Sequence, residues 1–183
     1  MVFKELPIRK PIRLKGFNYG NPGSYFITIC TKDRAELFWL NCKHVGYGFA
    51  VPNNISTSHK NIILSESGKI AELLIPKISV KYPDVKIDKY CVMPNHVHLI
   101  LTVKNGTANP SPTVINAVAW YKFMVTKCCG RMNSENTRIW QRSYHERIIR
   151  NEDEYYKIWE YIEYNPSKWN EDTLNLQAKT NFI

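Results

Sequence analysis

VKIDKYCVMPNHVHLILTV, residues 85–103, places two apolar, β-branched runs on either side of Pro94-Asn95. Val85–Val92 reads as a strand, Pro94-Asn95 as a tight turn, and His96–Val103 as the returning strand, giving an antiparallel hairpin. Residues two apart on a strand face the same side. His96 and His98 therefore point together, while Val97, Leu99 and Leu101 point the opposite way, into a core.

The flanking sequence supplies the layers such a hairpin needs. SYFITICT, residues 24–31, alternates aromatic and β-branched side chains and reads as a further strand. Residues 66–82 set Ile70, Leu73, Leu74 and Ile78 at helical spacing, with Pro76 expected to kink or break the helix. Residues 113–129 hold Val114, Ile115, Val118, Tyr121, Val125 and Cys128 at the same spacing, and Gly130 is the expected stop. Arg138–Arg150 reads as a partly exposed strand. Asn151 then stands as an N-cap before Glu152, Asp153 and Glu154, acids that suit the positive end of a helix dipole. That helix runs to about Asn165, because Pro166 disfavours helical geometry at the residue before it. The order β-α-β-β-α-β-α fits an α+β sandwich, with helices on one face of an antiparallel sheet.

A length of 183 residues suits one domain with a full core, so residues 1–183 are read as a single domain. Residues 1–23, with Pro7, Pro11, Gly16, Gly20, Pro22 and Gly23, form an irregular basic arm, and residues 41–61 and 104–112 read as loops. No run of about 18 apolar residues exists to span a membrane. The first residues lack the apolar stretch and cleavage site of a signal peptide. Cys30, Cys42, Cys91, Cys128 and Cys129 are odd in number and form no CxxC pair, which suits free thiols in the cytoplasm.

The net charge of +9 points to a polyanion as partner. Cations concentrate in residues 1–32 and 122–150, where Tyr121, Phe123, Trp140 and Tyr144 lie among or beside them, a composition suited to stacking on unpaired bases, with Trp140 itself expected in the core rather than as a stacking platform. Residues 152–163 reverse the sign. A nucleic-acid partner implies a place at the nucleoid.

Two segments carry chemistry. Two imidazoles on one strand face can converge on a divalent cation and leave open positions for a phosphate oxygen and water, given a third ligand from elsewhere. His-x-His pairs also serve zinc hydrolases, so this segment alone does not choose a reaction. In EYIEYNP, residues 160–166, Tyr161 and Asn165 are four apart and share a helix face. Each segment singly has a plainer explanation: solvated histidines, a packed ring, a helix cap. Together they make one chemistry. A phenol, with a pKa of about 10, is a weak nucleophile at neutral pH, and a metal can polarise a phosphate for it. The resulting phosphotyrosine retains the energy of the broken phosphodiester, so rejoining needs no ATP. No GxxxxGK loop is present to bind one.

RLKGFNYGNPGSYFITICTKDR (13–34), VMPNHVHLIL (92–101) and IWQRSYHERIIRNEDEYYKIWEYIEYNPSKW (139–169) resemble the REP-associated tyrosine transposases and their insertion-sequence relatives in the HUH endonuclease superfamily. The resemblance implies a ferredoxin-like fold, with His96 and His98 binding the metal and Tyr161 as nucleophile. Asn165 would be the third ligand or orient the metal. It further implies magnesium or manganese, where ligand chemistry alone suggests zinc. A dimer acting on single-stranded DNA with hairpins is implied, leaving a 5′-phosphotyrosine and a 3′-hydroxyl. Tyr144 is a second candidate nucleophile. Arg142, Arg147 and Arg150, ahead of the tyrosine helix, read as DNA contacts, as do Lys122 and Lys127 on the preceding helix and Arg13 and Lys15 in the arm. Two other readings stay open: a silent site on a protein that binds repeat hairpins, and a water-using phosphodiesterase. Residues 40–65 match no pattern.

Overall fold

Alternation along the chain becomes a four-stranded antiparallel sheet in the order β2-β3-β1-β4. The strands are β1 (Gly23–Cys30), β2 (Val85–Met93), β3 (His96–Val103) and β4 (His145–Ile149). The helices are α1 (Glu66–Leu74), α2 (Lys77–Lys81), α3 (Thr113–Met132) and α4 (Glu152–Tyr164). The structure is a computed structural model and describes residues 22–40, 62–104, 113–132 and 138–176. Arg13, Lys15 and most of residues 40–65 lie outside the described residues.

The hairpin forms as its sequence dictates. Met93 pairs with His96 and Val92 with Val97 across the Pro94-Asn95 turn. β3 then pairs on its other side with β1, setting Ile27 opposite Leu99 and Thr28 opposite His98. A ferredoxin-like frame results, with β3 and β1 at the centre. A bulge between Ile87 and Lys89 shifts the β2 register.

The two sheet faces differ. Val97, Leu99, Leu101 and Val103 are buried with Tyr25, Ile27 and Ile29 in the main core. Tyr90 shares this face, and its phenol is raised by burial and by the charge of Glu72 on α1. α1 and α3 pack on each other, and the buried Tyr121 hydroxyl donates to the Ala71 carbonyl at 3.0 Å. Each fully buried Leu or Ile contributes ~1.5–3 kcal/mol, so this face carries most of the stability. α4, which follows the βαββαβ frame, takes the opposite face, where His96, His98, Phe26 and Thr28 point. The Lys89–Glu163 ion pair ties it to β2.

Three local expectations change. Pro76 does break the first helical stretch, leaving α1 and α2. α3 instead runs through Gly130 to Met132, because nothing there requires a left-handed residue and a helical glycine costs only ~1 kcal/mol. The strand expected over 138–150 pairs only at His145–Ile149. Trp140 turns inward, with its ring 5.3 Å from Phe38 and 5.9 Å from Tyr121, and forms a lone bridge to Thr31. Tyr144 therefore precedes the strand rather than lying within it. Asn151 caps α4 as expected, accepting from Glu154 N at 2.8 Å while the Glu154 carboxylate accepts from Arg150 N at 2.9 Å. The two bonds together satisfy N–H groups on both sides of the cap and anchor the start of α4.

The two helical glycines should respond with opposite signs. A Cβ at Gly68 would overlap the Phe38 carbonyl, whereas one at Gly130 meets nothing within 4 Å. Urea unfolding should show Gly68→Ala losing ~2–4 kcal/mol through overpacking and Gly130→Ala gaining ~0.5–1 kcal/mol.

Candidate active site

β3 and α4 meet at His98. The strand period places His96 and His98 side by side, buried, with their Nε2 atoms 3.0 Å apart. The helix brings the Tyr161 hydroxyl to 3.4 Å from His98 Nε2, too long for a strong hydrogen bond and short enough to share one ligand. Phe26 fixes both rings, stacking on His98 at 5.1 Å and meeting Tyr161 edge-on at 6.0 Å. The outer nitrogens are held as well. His98 Nδ1 lies 2.9 Å from Thr28 Oγ1, and His96 Nδ1 lies 2.8 Å from Asn95 Oδ1. Tyr161 is 47% exposed, so the nucleophile candidate stands at the mouth of an otherwise buried cluster.

Asn165 follows α4, with its N–H donating to the Tyr161 carbonyl at 2.9 Å. Its buried Oδ1 has no hydrogen-bond partner, while its side chain also hydrogen-bonds the Tyr161 phenol. A short 3-10 segment, Pro166–Glu171, then folds the chain back to His96, with Trp169 packed 6.2 Å from that ring. It delivers Asp172, which the sequence reading missed because no motif marks it. Asp172 Oδ1 accepts from Leu174 N at 2.6 Å, and Oδ2, buried and unpartnered, lies 3.8 Å from His96 Nε2. The ligand atoms of His96, His98 and Asp172 fall within 4.8 Å of one another.

Electrostatics make this an unusual cluster. Burial, the neighbouring His98 and Arg34 hold His96 well below its ordinary pKa. Burial pushes His98 down to about 3. Both imidazoles are therefore neutral near pH 7, and the Asp172–His96 contact is not an ion pair. A buried carboxylate oxygen without a donor is costly. A divalent cation would remove that cost, and the donor set fits one: two imidazole nitrogens and the Asp172 carboxylate. Burial first and the Asp172 charge second push Tyr161 up to about 12, and the Asn165 hydrogen bond opposes them.

The expected DNA contacts are not all equally available. Arg142, Arg147, Arg150 and Lys127 are exposed. Arg147 pairs with Phe26 across the sheet and so shares the face of His98, although its guanidinium engages Glu154. Lys122 is half-buried, and its ammonium donates to the Gln141 carbonyl at 2.7 Å and the Arg142 carbonyl at 3.1 Å, clamping residues 140–142 onto α3. Tyr144 is half-buried against the core, beside an edge strand that β1 separates from β3.

The family model described as "Transposase IS200 like" matches residues 53–165. An uncharacterized protein of Haemophilus influenzae is 34% identical over 183 residues, covering 91% of this chain and 92% of that protein. A second Haemophilus influenzae protein, assigned as a REP-associated tyrosine transposase, is 26% identical over 83 residues, 43% of this chain and 47% of its own length. A solved structure of a REP-associated tyrosine transposase bound to a REP hairpin superposes with a TM-score of 0.54 at 22% identity, covering 90% of this chain and 74% of that one. At that identity the likeness is one of fold.

The neutral histidines give the fold a characteristic acid response. As the pH falls below about 6.5 the unfolded chain binds protons on these residues that the folded chain does not. Their contribution is fully present above that pH and is lost progressively as the pH falls, for His98 toward about 3. Urea unfolding between pH 7 and pH 5 should show a loss of up to ~1.4 kcal/mol per pH unit for each histidine. The double variant His96→Gln/His98→Gln should lose this component of the slope.

Proposed function

The chain belongs to the family of IS200-like transposases, and from that premise we propose that it cuts and rejoins single-stranded DNA through Tyr161. One observation carries the reading: the Tyr161 hydroxyl lies 3.4 Å from His98 Nε2, at the open edge of a buried donor cluster. The substrate proposed is a strand carrying hairpins, supported by the relative of like fold bound to a REP hairpin. We take residues 1–183 as one domain working as a homodimer at the nucleoid. No helix among the described residues is long and apolar enough to cross a membrane.

In the proposed reaction the Tyr161 phenol oxygen attacks phosphorus. The P–O3′ bond breaks as the O–P bond to tyrosine forms, the phenol proton passes to solvent at the exposed side, and the departing 3′-oxygen takes up a proton. A 3′-hydroxyl attacking the phosphotyrosine reverses these steps and frees Tyr161. His96, His98, Asn165 and Asp172 would hold a divalent cation, magnesium or manganese. When bound it supplies Lewis-acid polarisation of a phosphate oxygen and a positive charge that offsets the Asp172 effect on the phenol. Phe26 holds the Tyr161 ring edge-on, and the cap at Asn151 anchors the helix that carries it. Arg142, Arg147, Arg150 and Lys127 would track the phosphates of the incoming strand, with Arg13 and Lys15 reaching a hairpin from the arm; Lys122 contributes by holding the Arg142 segment.

Labelled single-stranded DNA with hairpins from the gene's flanks, incubated with Mn²⁺ and resolved on a denaturing gel, tests the reading. Wild type and Tyr144→Phe should give a shifted protein–DNA band, and Tyr161→Phe should give none. Cleavage that persists in Tyr161→Phe without a covalent band would establish a water-using nuclease. Tight binding with no cleavage on any hairpin would establish a DNA-binding protein with a silent site. Arg142→Ala should weaken binding evenly across sequences and reduce the salt slope by about 1.

A further inference from the structure

Asn95, the second residue of the hairpin turn, is buried and engages three groups at once. Its Nδ2 lies 2.8 Å from the Leu174 carbonyl and 3.3 Å from the Arg34 carbonyl, and its Oδ1 lies 2.8 Å from His96 Nδ1. Carbonyl oxygens only accept, so the amide group facing them must be the NH₂. The other end is then an acceptor, and His96 Nδ1 must carry the proton. His96 Nε2 is left as a bare lone pair aimed at His98 and Asp172. The Leu174 contact reaches further, because Leu174 N donates to Asp172 Oδ1 at 2.6 Å and Asn175 N donates to the Asp172 carbonyl at 3.0 Å. One side chain thus joins His96 to the turn that presents Asp172.

We propose that Asn95 is a positioning residue that locks His96 in the Nδ1–H tautomer and clamps the Asp172 turn beside it, preassembling a ligand set from two distant parts of the chain. His98 is treated differently. Its Nδ1 faces the Thr28 hydroxyl, which can donate or accept. Its ring also hydrogen-bonds the Ile27 carbonyl, which only accepts, while the bare His96 Nε2 lies 3.0 Å from its Nε2. A proton on either His98 nitrogen therefore finds an acceptor. The site therefore has one fixed histidine and one adaptable one. The purpose of the lock rests on the cation proposed above, whereas its existence does not.

The experiment reads the two separately. Long-range ¹H–¹⁵N correlation spectra of the full chain at neutral pH, without metal, should show His96 as Nδ1–H. His96 found as Nε2–H would overturn the lock without any variant being made. Titration with Mg²⁺ should shift the Nε2 resonances of both histidines and leave each as Nδ1–H. An absence of any response to Mg²⁺, with His96 as stated, would overturn the cation reading and leave the lock standing. Calorimetry with Mn²⁺ should give a Kd weakened ~10–100-fold in Asn95→Leu, with His96 in mixed tautomers. Asn95→Asp keeps the acceptor for His96 and loses the donor to Leu174, so it should retain the His96 tautomer and still bind Mn²⁺ more weakly than wild type. Unchanged affinity in both variants would overturn the clamp.

Discussion

β3 lies between β2 and β1, and its period of two sets up everything around it. The odd-numbered residues Val97, Leu99, Leu101 and Val103 are locked into the main core. A slip of one residue would bury His96 and His98 there and expose the apolar set to the α4 side, at a cost of several side chains of ~1.5–3 kcal/mol each. The core therefore holds the histidines in place. Two ligands on a loop would lose entropy on meeting a cation; two on a central strand are already aligned.

The opposite face is where the fold concentrates unfavourable electrostatics. A carboxylate oxygen and an amide oxygen lack partners, and a phenol is pushed up to about 12. Each of these is tolerated because the core on the other side of the sheet supplies the stability. A positive charge beside Asp172 would ease both the orphaned carboxylate oxygen and the phenol. The chain of positioning contacts follows the same logic: Phe26 sets the rings, Asn95 and Thr28 set the outer nitrogens, and the Asn151 cap anchors the helix.

Much of this was legible in the sequence, wherever one local rule acted alone. The β2–β3 hairpin, the facing of His96 and His98, the break at Pro76, the Asn151 cap and the shared face of Tyr161 and Asn165 all follow from period, turn chemistry and capping. What escaped depends on tertiary return of the chain. Asp172 carries no motif and reaches the site only because Trp169 packs beside His96. Lys122 looks like any helix cation until residues 140–142 fold onto it and take its ammonium. The strand expected from Arg138 was shortened because Trp140 prefers the core to the sheet edge, and Gly130 failed to stop α3 because helix continuation outweighed its small cost. Asn95 read as a turn residue, and its second role is visible only once Leu174 lies beside it.

The proposed reaction requires Tyr161 to be the residue that bonds to DNA at this cluster. Peptide mapping by mass spectrometry, after exhaustive nuclease digestion of protein incubated with a hairpin-bearing single strand and Mn²⁺, tests it most directly. The expected result is a nucleotide phosphate on the peptide containing Tyr161 and on no other. A nucleotide on the Tyr144 peptide, or cleaved DNA with every tyrosine unmodified, would contradict the account.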